Sequence, residues 1–316
     1  MLKKLALICA LFCLFAALVS CGAPAADNRP VVVTTLYPQY DFCKNIAGDS
    51  VSLTLLLDPG VDAHSYDPTP ADLLTLCSAD LLIYTGADME LWLDKLLASS
   101  DVAGAVERGK LHLLDLSASV DLLPLDEDED EDEHAGHEHG KFDPHIWTSP
   151  KNALKMCDAI LTALCELDGV DAALCRANCA AYTEKLSALA DDFDRLAETA
   201  AGGRLYFGGS FAFAYLCRDL SLSHRSLYDG CAAHTEPAPA ALASLIGDMR
   251  AAGAPVILYD SPAEEKIAKK IAAETGAAVL RLHAIHNISK DELAGGEDYL
   301  SLMRRNLEVL GKALAQ

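Results

Sequence analysis

The sequence predicts an α/β protein in which two lobes, each with a mainly parallel sheet flanked by helices, are joined by a long helical connection. First, short apolar, β-rich runs alternate with helix-like stretches before residue 150 and again after residue 202, which is typical of parallel sheets with helices on their faces. Second, residues 151–200 contain no proline, are rich in alanine, leucine and charged residues, and are interrupted only near Gly169. We therefore expect two helices there, the longer one covering about 172–200.

Local signals predict the elements of each lobe. Thr69 occupies a helix N-cap position with Pro70 in the first turn, which marks a helix start. The expected order in the first lobe is strand 31–37, helix 38–48, strand 51–57, helix 69–79, strand 81–85 and helix 91–98. The expected order in the second lobe is strand 205–208, helix 211–220, helix 238–252, strand 256–259, helix 262–275, strand 278–282 and helix 298–315.

The first residues predict export. Lys3 and Lys4 precede an uncharged apolar stretch at 5–19, which is too short to span a bilayer and is followed by small residues, as in a secretory signal peptide. Cys21 follows Leu-Val-Ser, a pattern that resembles a bacterial lipobox, so we expect Cys21 to carry a lipid anchor; a plain signal peptide with an incidental cysteine is the alternative. The expected organisation is a signal peptide 1–20, a lipidated tether 21–30, an N-terminal lobe 31–150, a helical connection 151–202 and a C-terminal lobe 203–316.

Composition narrows the ligand class. The net charge is −22, from 47 acidic and 25 basic side chains, which disfavours nucleic acids and anionic lipid headgroups and favours cations. The sequence has eleven cysteines, and eight remain when those of the predicted signal peptide and Cys21 are excluded. Export permits disulfides among them, but Cys175 and Cys179 occupy one predicted helix face and no CxxC motif occurs, so we favour buried free thiols.

The most strongly charged segment is 126–140, where eight consecutive acidic residues precede His134, His137 and His139. Such a charge density predicts a solvated loop outside any core. Carboxylates and imidazoles in one tract also favour a weak metal-gathering role. A loop without a function is the alternative.

Four other histidines lie at predicted lobe edges. His64, His283 and His286 follow predicted strands, and His145 precedes the helical connection. Ligand sites in open α/β sheets lie beyond the carboxyl ends of strands and often between domains. A neutral imidazole offers a nitrogen lone pair that suits zinc and its neighbours in the periodic table. These four residues are therefore the candidate metal ligands, with ordinary surface histidines as the alternative that spacing alone leaves open.

Several motifs together resemble the metal-binding lipoproteins of ABC importers for zinc and manganese, the cluster A-I family of solute-binding proteins. The matching segments are the lipobox, DPGVDAHSYDPTPADL around His64, the acidic His-rich insertion, FDPHIWTSPKNA around His145, the long helix and the C-terminal YLSLMRRNLEVL. They span nearly the whole mature chain, and the motifs around His64 and His145 are the specific ones. The resemblance implies two lobes joined by a rigid helix, with the metal between them and its first two ligands at His64 and His145.

The chain departs from the family pattern at the third ligand. Ser210 occupies that histidine position in the segment GSFAFAY, and a neutral hydroxyl is a poor zinc ligand. The fourth family ligand, commonly a carboxylate, falls in the loop that contains His283 and His286. We therefore expect both of these imidazoles to join His64 and His145, and we prefer His286 if only one of the pair binds.

Two further residues are candidates for ligation or for support of a ligand. His234 and Glu236 precede a predicted helix in CAAHTEPAP, where family members carry a Glu-Pro. Glu236 is interpreted first as a structural group or as a partner of a metal ligand.

The resemblance implies an extracytoplasmic receptor that captures Zn²⁺ between its lobes and delivers it to an ABC permease with a cytoplasmic ATPase. Nitrogen ligands favour Zn²⁺ over Mn²⁺, and the resemblance implies the same for the His-rich tract, since such tracts are associated with zinc proteins within this family. We expect a monomer, lipid-anchored to the outer face of the bacterial cytoplasmic membrane, that binds no nucleic acid. We do not expect an enzyme, because neither HExxH nor GxSxG occurs. The alternatives are a manganese receptor of the same family, a zinc-dependent hydrolase with water at the vacant ligand position, and a metal-stabilised surface adhesin.

Overall fold

The computed structural model describes residues 28–125, 141–200, 202–228 and 237–315. Predictions about Cys21, about the tract 126–140, and about His234 and Glu236 therefore concern positions outside the described residues. Within the described part of the chain, no helix is both long enough and apolar enough to cross a membrane.

The N-terminal lobe contains a four-stranded parallel sheet with the strand order β2-β1-β3-β4. Its elements are β1 (Val31–Thr34), α1 (Tyr37–Ala47), β2 (Ser52–Leu55), α2 (Pro70–Ser78), β3 (Leu81–Tyr84), α3 (Leu93–Leu97), α4 (Ser100–Glu107) and β4 (His112–Asp115).

The helical connection and the C-terminal lobe follow. The connection is α5 (Pro150–Glu166) and α6 (Ala172–Ala200), which confirms the predicted break near Gly169. The second sheet is again parallel, in the order β6-β5-β7-β8. Its lobe comprises β5 (Arg204–Phe207), α7 (Ala214–Asp219), β6 (Ser223–Ser226), α8 (Pro239–Ala252), β7 (Val256–Tyr259), α9 (Glu265–Thr275), β8 (Ala278–Arg281), α10 (Lys290–Ala294) and α11 (Tyr299–Ala313). The predicted fold class is confirmed.

Some elements differ from the prediction for local reasons. The first strand ends at Thr34, not at residue 37, because α1 begins at Tyr37 with Pro38 in its first turn. The side chain of Gln39 accepts the backbone N–H of Leu36 at 3.0 Å, which satisfies one of the free donors at this helix start. Four elements were not predicted: the strands β4 and β6 and the helices α4 and α10. Both strands lie at sheet edges and are largely exposed, so neither has the continuous apolar run of a buried strand.

One hydrophobic core extends through both lobes and the helical connection. At its centre Phe42 of α1 meets Tyr299 of α11 edge-on, with ring centroids 4.8 Å apart, and lies 6.2 Å from Tyr182 of α6. The hydroxyl of Tyr182 donates to Asp41 Oδ2 at 3.0 Å. Helices from both lobes, α1 and α11, therefore pack on the long helix α6.

The described cysteines are free thiols, as the sequence predicted. The free thiols among the described residues are Cys43, Cys77, Cys157, Cys165, Cys175, Cys179 and Cys217. Cys175 and Cys179 are both buried on one face of α6, and burial raises the pKa of each thiol. They are consequently packing residues with little thiolate character.

Candidate metal centre

Three histidines from separate loops converge between the lobes. One ring nitrogen from each of His64, His145 and His286 lies within 4.8 Å of the other two. The ring centroids are 5.6 Å apart for His64 and His145, 5.2 Å for His64 and His286, and 4.9 Å for His145 and His286. In the described part of the chain this is the one such cluster of histidine, cysteine or acidic side chains.

The three rings differ in exposure. His64 is exposed, His145 is 2% exposed, and the side chain of His286 is 18% exposed. The cluster therefore has a solvent side at His64 and a buried floor. A metal ion can reach such a site from the solvent and lose most of its water there.

His145 is oriented by an acid two residues earlier. Asp143 Oδ1 accepts the backbone N–H of His145 at 2.8 Å and lies 2.8 Å from its ring Nδ1. Burial opposes ionisation of Asp143, but the charge and hydrogen bonds of His145 outweigh it and lower the pKa of this carboxyl. A carboxylate on Nδ1 directs the lone pair of Nε2 towards a metal.

His64 belongs to the loop that follows β2. Asp62 Oδ1 accepts the backbone N–H groups of His64 at 2.8 Å and of Ser65 at 3.3 Å. The indole N–H of Trp92 donates to the carbonyl of Ala63 at 3.1 Å. The loop backbone is thus fixed on both sides of His64, while the residue itself is exposed.

The two histidines in the loop after β8, His283 and His286, have different surroundings. Ile285 lies between them with φ of +59°, which is unusual for a β-branched residue. The Ile285 N–H donates to His283 Nδ1 at 2.9 Å, and His283 Nε2 lies 3.5 Å from Glu292 Oε1. The cluster therefore does not include His283, and the geometry favours the version of the prediction in which His286 alone comes from this loop.

His286 has the properties of an unused ligand. Its Nε2 is buried and has no hydrogen-bond partner among the described residues. Burial, followed by the neighbouring His145 and His64, lowers the pKa of His286 well below its usual value. The ring is consequently neutral at physiological pH, with a lone pair available to a cation.

Ser210, at the third family position, lies in a tightly held segment. Its backbone N–H donates to Glu264 Oε1 at 2.7 Å. The other carboxylate oxygen accepts the amides of Asp260 and Ser261 at 3.1 and 3.2 Å. A Cβ at Gly209 would come within 2.2 Å of Glu264 Cδ, so a side chain there would displace this carboxylate. The Glu264 carboxylate is thus used to support the loops around the site.

Sequence analysis did not assign roles to three residues that contact the loops bearing these histidines. They are Asp143, Asp260 and Asn287. Two of them carry a signal in the sequence that could have identified them: Asp143 is an acid two residues before His145, and Asp260 is an acid directly after the buried strand β7. Asn287 accepts the backbone N–H of Ile288 at 2.8 Å and also donates from its side-chain amide to the carbonyls of Asp58 and Val61, both at 2.8 Å. The second-lobe loop is thereby bonded to the first lobe.

Three imidazoles that converge between two α/β lobes form a candidate site for a metal ion. The family described as zinc-uptake complex component A, periplasmic (ZnuA), matches residues 32–313, and the chain belongs to this family. The resemblance drawn from the sequence motifs is therefore confirmed. The description of this family is that of a component of a zinc-uptake complex.

Individual relatives agree with this assignment. The zinc-binding lipoprotein AdcA of Streptococcus pneumoniae serotype 4 is 29% identical over 317 residues, which cover 100% of this chain and 62% of AdcA. The iron-binding protein YfeA of Yersinia pestis is 31% identical over 311 residues, covering 96% of this chain and 94% of YfeA. The crystal structure of the Zn(II)-bound ZnuA-like domain of Streptococcus pneumoniae AdcA has a TM-score of 0.76 and 27% identity, covering 92% of this chain and 100% of that domain. The chain thus spans about 62% of the length of AdcA.

Proposed function

We propose that this protein is an extracytoplasmic receptor that captures one Zn²⁺ ion between its lobes for delivery to an ABC importer. The observation that carries the proposal is the convergence of His64, His145 and His286 within 4.8 Å. Tetrahedral zinc takes about four ligands, and imidazole nitrogen is among its preferred donors. Membership of a zinc-uptake family supports the same cargo.

The donor set also bears on which metal is bound. Manganese prefers oxygen ligands, and the described cluster offers three nitrogens. Iron(II) accepts imidazole as zinc does, and one relative is an iron-binding protein. Zn²⁺ nonetheless binds nitrogen sites more tightly than Fe²⁺ or Mn²⁺ in the general affinity order of these ions. We therefore place Zn²⁺ first and treat Fe²⁺ and Mn²⁺ as competitors.

The rest of the ligand set is part of the proposal. Three imidazoles leave one coordination position of a tetrahedral ion unfilled. His234, Glu236 or a water molecule would occupy that position. Ser210 is proposed not to coordinate, since its neutral hydroxyl is a poor donor for zinc. His134, His137 and His139 are proposed to gather zinc weakly from solution.

The cellular setting follows from the proposed role. Cys21 would carry the lipid that anchors the mature chain to the outer face of the bacterial cytoplasmic membrane. The partners would be a permease and its cytoplasmic ATPase, with the receptor acting as a monomer and without catalytic activity of its own. The support for these statements is the sequence pattern at 18–22 together with the family.

A competition titration of the purified, metal-free protein tests the cargo. The expected result is binding of one Zn²⁺ with a dissociation constant below the micromolar range, and weaker binding of Mn²⁺ and Fe²⁺ under anaerobic conditions. Zinc binding no tighter than micromolar would contradict the receptor role. Ester hydrolysis by the zinc-loaded sample, followed in parallel, would instead favour the hydrolase.

A further inference from the structure

The acid at the end of β7 organises the whole loop that carries His286. The backbone carbonyl of Asp260 accepts Arg281 Nε at 2.7 Å, at the end of β8. Its Oδ1 accepts the backbone N–H of Ala284 at 2.8 Å. Its second carboxylate oxygen, Oδ2, lies 3.6 Å from His286 Nδ1. One residue therefore contacts the loop at its start, at its middle and at the ring of the candidate ligand.

The carboxylate oxygen 3.6 Å from Nδ1 bears on which nitrogen of His286 is available to a metal. The two nitrogens of an imidazole point in different directions, and a neutral ring carries one proton. Oδ2 of a carboxylate accepts hydrogen bonds and attracts positive charge, so it favours the proton on Nδ1. The lone pair then resides on Nε2, the buried nitrogen that has no partner among the described residues.

Asp260 is not itself a member of the metal cluster. The group of atoms within 4.8 Å contains His64, His145 and His286 but no oxygen of Asp260. Oδ2 faces Nδ1 of His286, so it approaches the side of the ring away from the nitrogen left for the metal. His145 has a closer carboxylate on its own Nδ1, with Asp143 at hydrogen-bonding distance of 2.8 Å, whereas Asp260 lies 3.6 Å from His286 Nδ1; carboxylates beside a ring nitrogen orient metal-bound imidazoles generally.

We propose that Asp260 is a positioning residue for the metal, holding His286 in the Nδ1–H tautomer with Nε2 directed at the ion. This inference rests on the proposed zinc-binding function and adds a determinant of affinity to it. Ile285 explains why such a residue is needed here. Its positive φ places a strained turn directly before His286, and Asp260 fixes the residue before that turn through the Ala284 amide.

The substitution Asp260→Asn separates positioning from loop structure. An asparagine keeps Oδ1 as the acceptor for Ala284 but replaces Oδ2 by an N–H donor. That donor favours a lone pair on Nδ1 and therefore the proton on Nε2, the tautomer that cannot bind the metal. We expect the zinc affinity to fall about 10- to 100-fold while the thermal midpoint of the metal-free protein stays within a few degrees. Asp41→Asn, the same change at another buried acid, should leave zinc affinity unaltered.

A double-mutant cycle with His286→Ala excludes a general structural effect. In the His286→Ala background, Asp260→Asn should change zinc affinity by less than twofold, because the group that it positions is gone. The visible spectrum of the Co²⁺-loaded Asp260→Asn protein should resemble that of His286→Ala. If Asp260→Asn fails to fold, the ¹⁵N chemical shifts of His286 in the metal-free wild type decide, and protonation at Nδ1 is expected.

Several results would overturn this inference. They are an Asp260→Asn protein with wild-type zinc affinity, a further tenfold loss in the His286→Ala background, or a wild-type His286 protonated at Nε2. If the wild type itself binds no Zn²⁺, both this inference and the proposed function are wrong. A wild type that binds Zn²⁺ beside an unaffected Asp260→Asn variant contradicts the positioning role alone.

Discussion

The side-chain amide of Asn287 donates a hydrogen bond of 2.8 Å to the carbonyl oxygen of Val61, although the two residues belong to different lobes. The same amide donates to the carbonyl of Asp58, also at 2.8 Å. Val61 and Asp58 lie in the loop that presents His64, and Asn287 directly follows His286. The loops that carry two candidate ligands are therefore bonded to each other through one side chain.

This cross-lobe contact predicts slow metal release. Removing two hydrogen bonds by Asn287→Ala should cost about 1–2 kcal/mol, so zinc should dissociate roughly 5–30 times faster. Stopped-flow transfer of zinc to a chelating dye measures this rate. Asn178→Ala is the matched control, since its amide donates to Ile46 at 3.1 Å away from the site. Equal release rates for Asn287→Ala and the wild type would show that the contact does not restrain the loops.

Alanine substitutions should rank the candidate ligands. His64→Ala, His145→Ala and His286→Ala should each weaken zinc binding by roughly tenfold or more, that is by at least ~1.4 kcal/mol, because each removes one nitrogen from the cluster. Ser210→Ala should change little. Competition titrations of the four variants provide the measurement. A strong effect of Ser210→Ala, or none of His286→Ala, would refute the proposed ligand set.

The acidic tract should be dispensable for tight binding. Leu125 and Lys141, which border it, are already joined by a backbone hydrogen bond of 3.1 Å, so residues 126–139 can be replaced by Asn-Gly, which with Gly140 forms a three-residue hairpin loop. One tightly bound zinc should remain and only additional weak binding should disappear, because a segment that must be ordered by the metal binds it less tightly than a preformed site. Calorimetry on both proteins resolves the two classes. A large loss at the tight site would mean that the tract supplies a ligand.

Asp41 predicts a pH-dependent stability. Burial raises its pKa from 3.8 to about 6, despite the opposing hydrogen bond from Tyr182. The folded state therefore holds this proton more tightly than the unfolded state, and the resulting stability is present below pH 3.8 and is lost as the pH rises through about 6. Asp41→Asn stays neutral and keeps an acceptor for Tyr182, so at pH 7.5 it should raise the free energy of unfolding by up to about 3 kcal/mol.

Urea unfolding of the metal-free proteins at pH 4 and pH 7.5 tests this effect. The difference between Asp41→Asn and the wild type should be small at the lower pH and large at the higher one. A difference that is equal at both values would show that Asp41 is not the titrating group.

The sequence was informative where local patterns decide structure. Alternation of apolar runs predicted both parallel sheets, and the proline-free stretch predicted α5 and α6. Strand β6 was missed because its four residues, Ser223–Ser226, are all polar, and β4 because its two leucines lie between His112 and Asp115. His283 and His286 could not be separated, because the backbone angle of Ile285 between them depends on contacts with distant Asp260 and Asn306. His283 is bonded to Asn306 through its backbone N–H at 2.8 Å, which no spacing in the sequence indicates.

The core shared by both lobes has a mechanical consequence. Phe42, Tyr182 and Tyr299 come from the first lobe, the connecting helix and the second lobe, and α6 is a 29-residue helix roughly 43 Å long. Moving one lobe away from the other would expose this aromatic surface to water, at a free-energy cost of about 25 cal/mol for each Å² exposed. The two lobes should therefore move little relative to each other. The movement needed for metal binding and release should occur in the two loops that Asn287 connects.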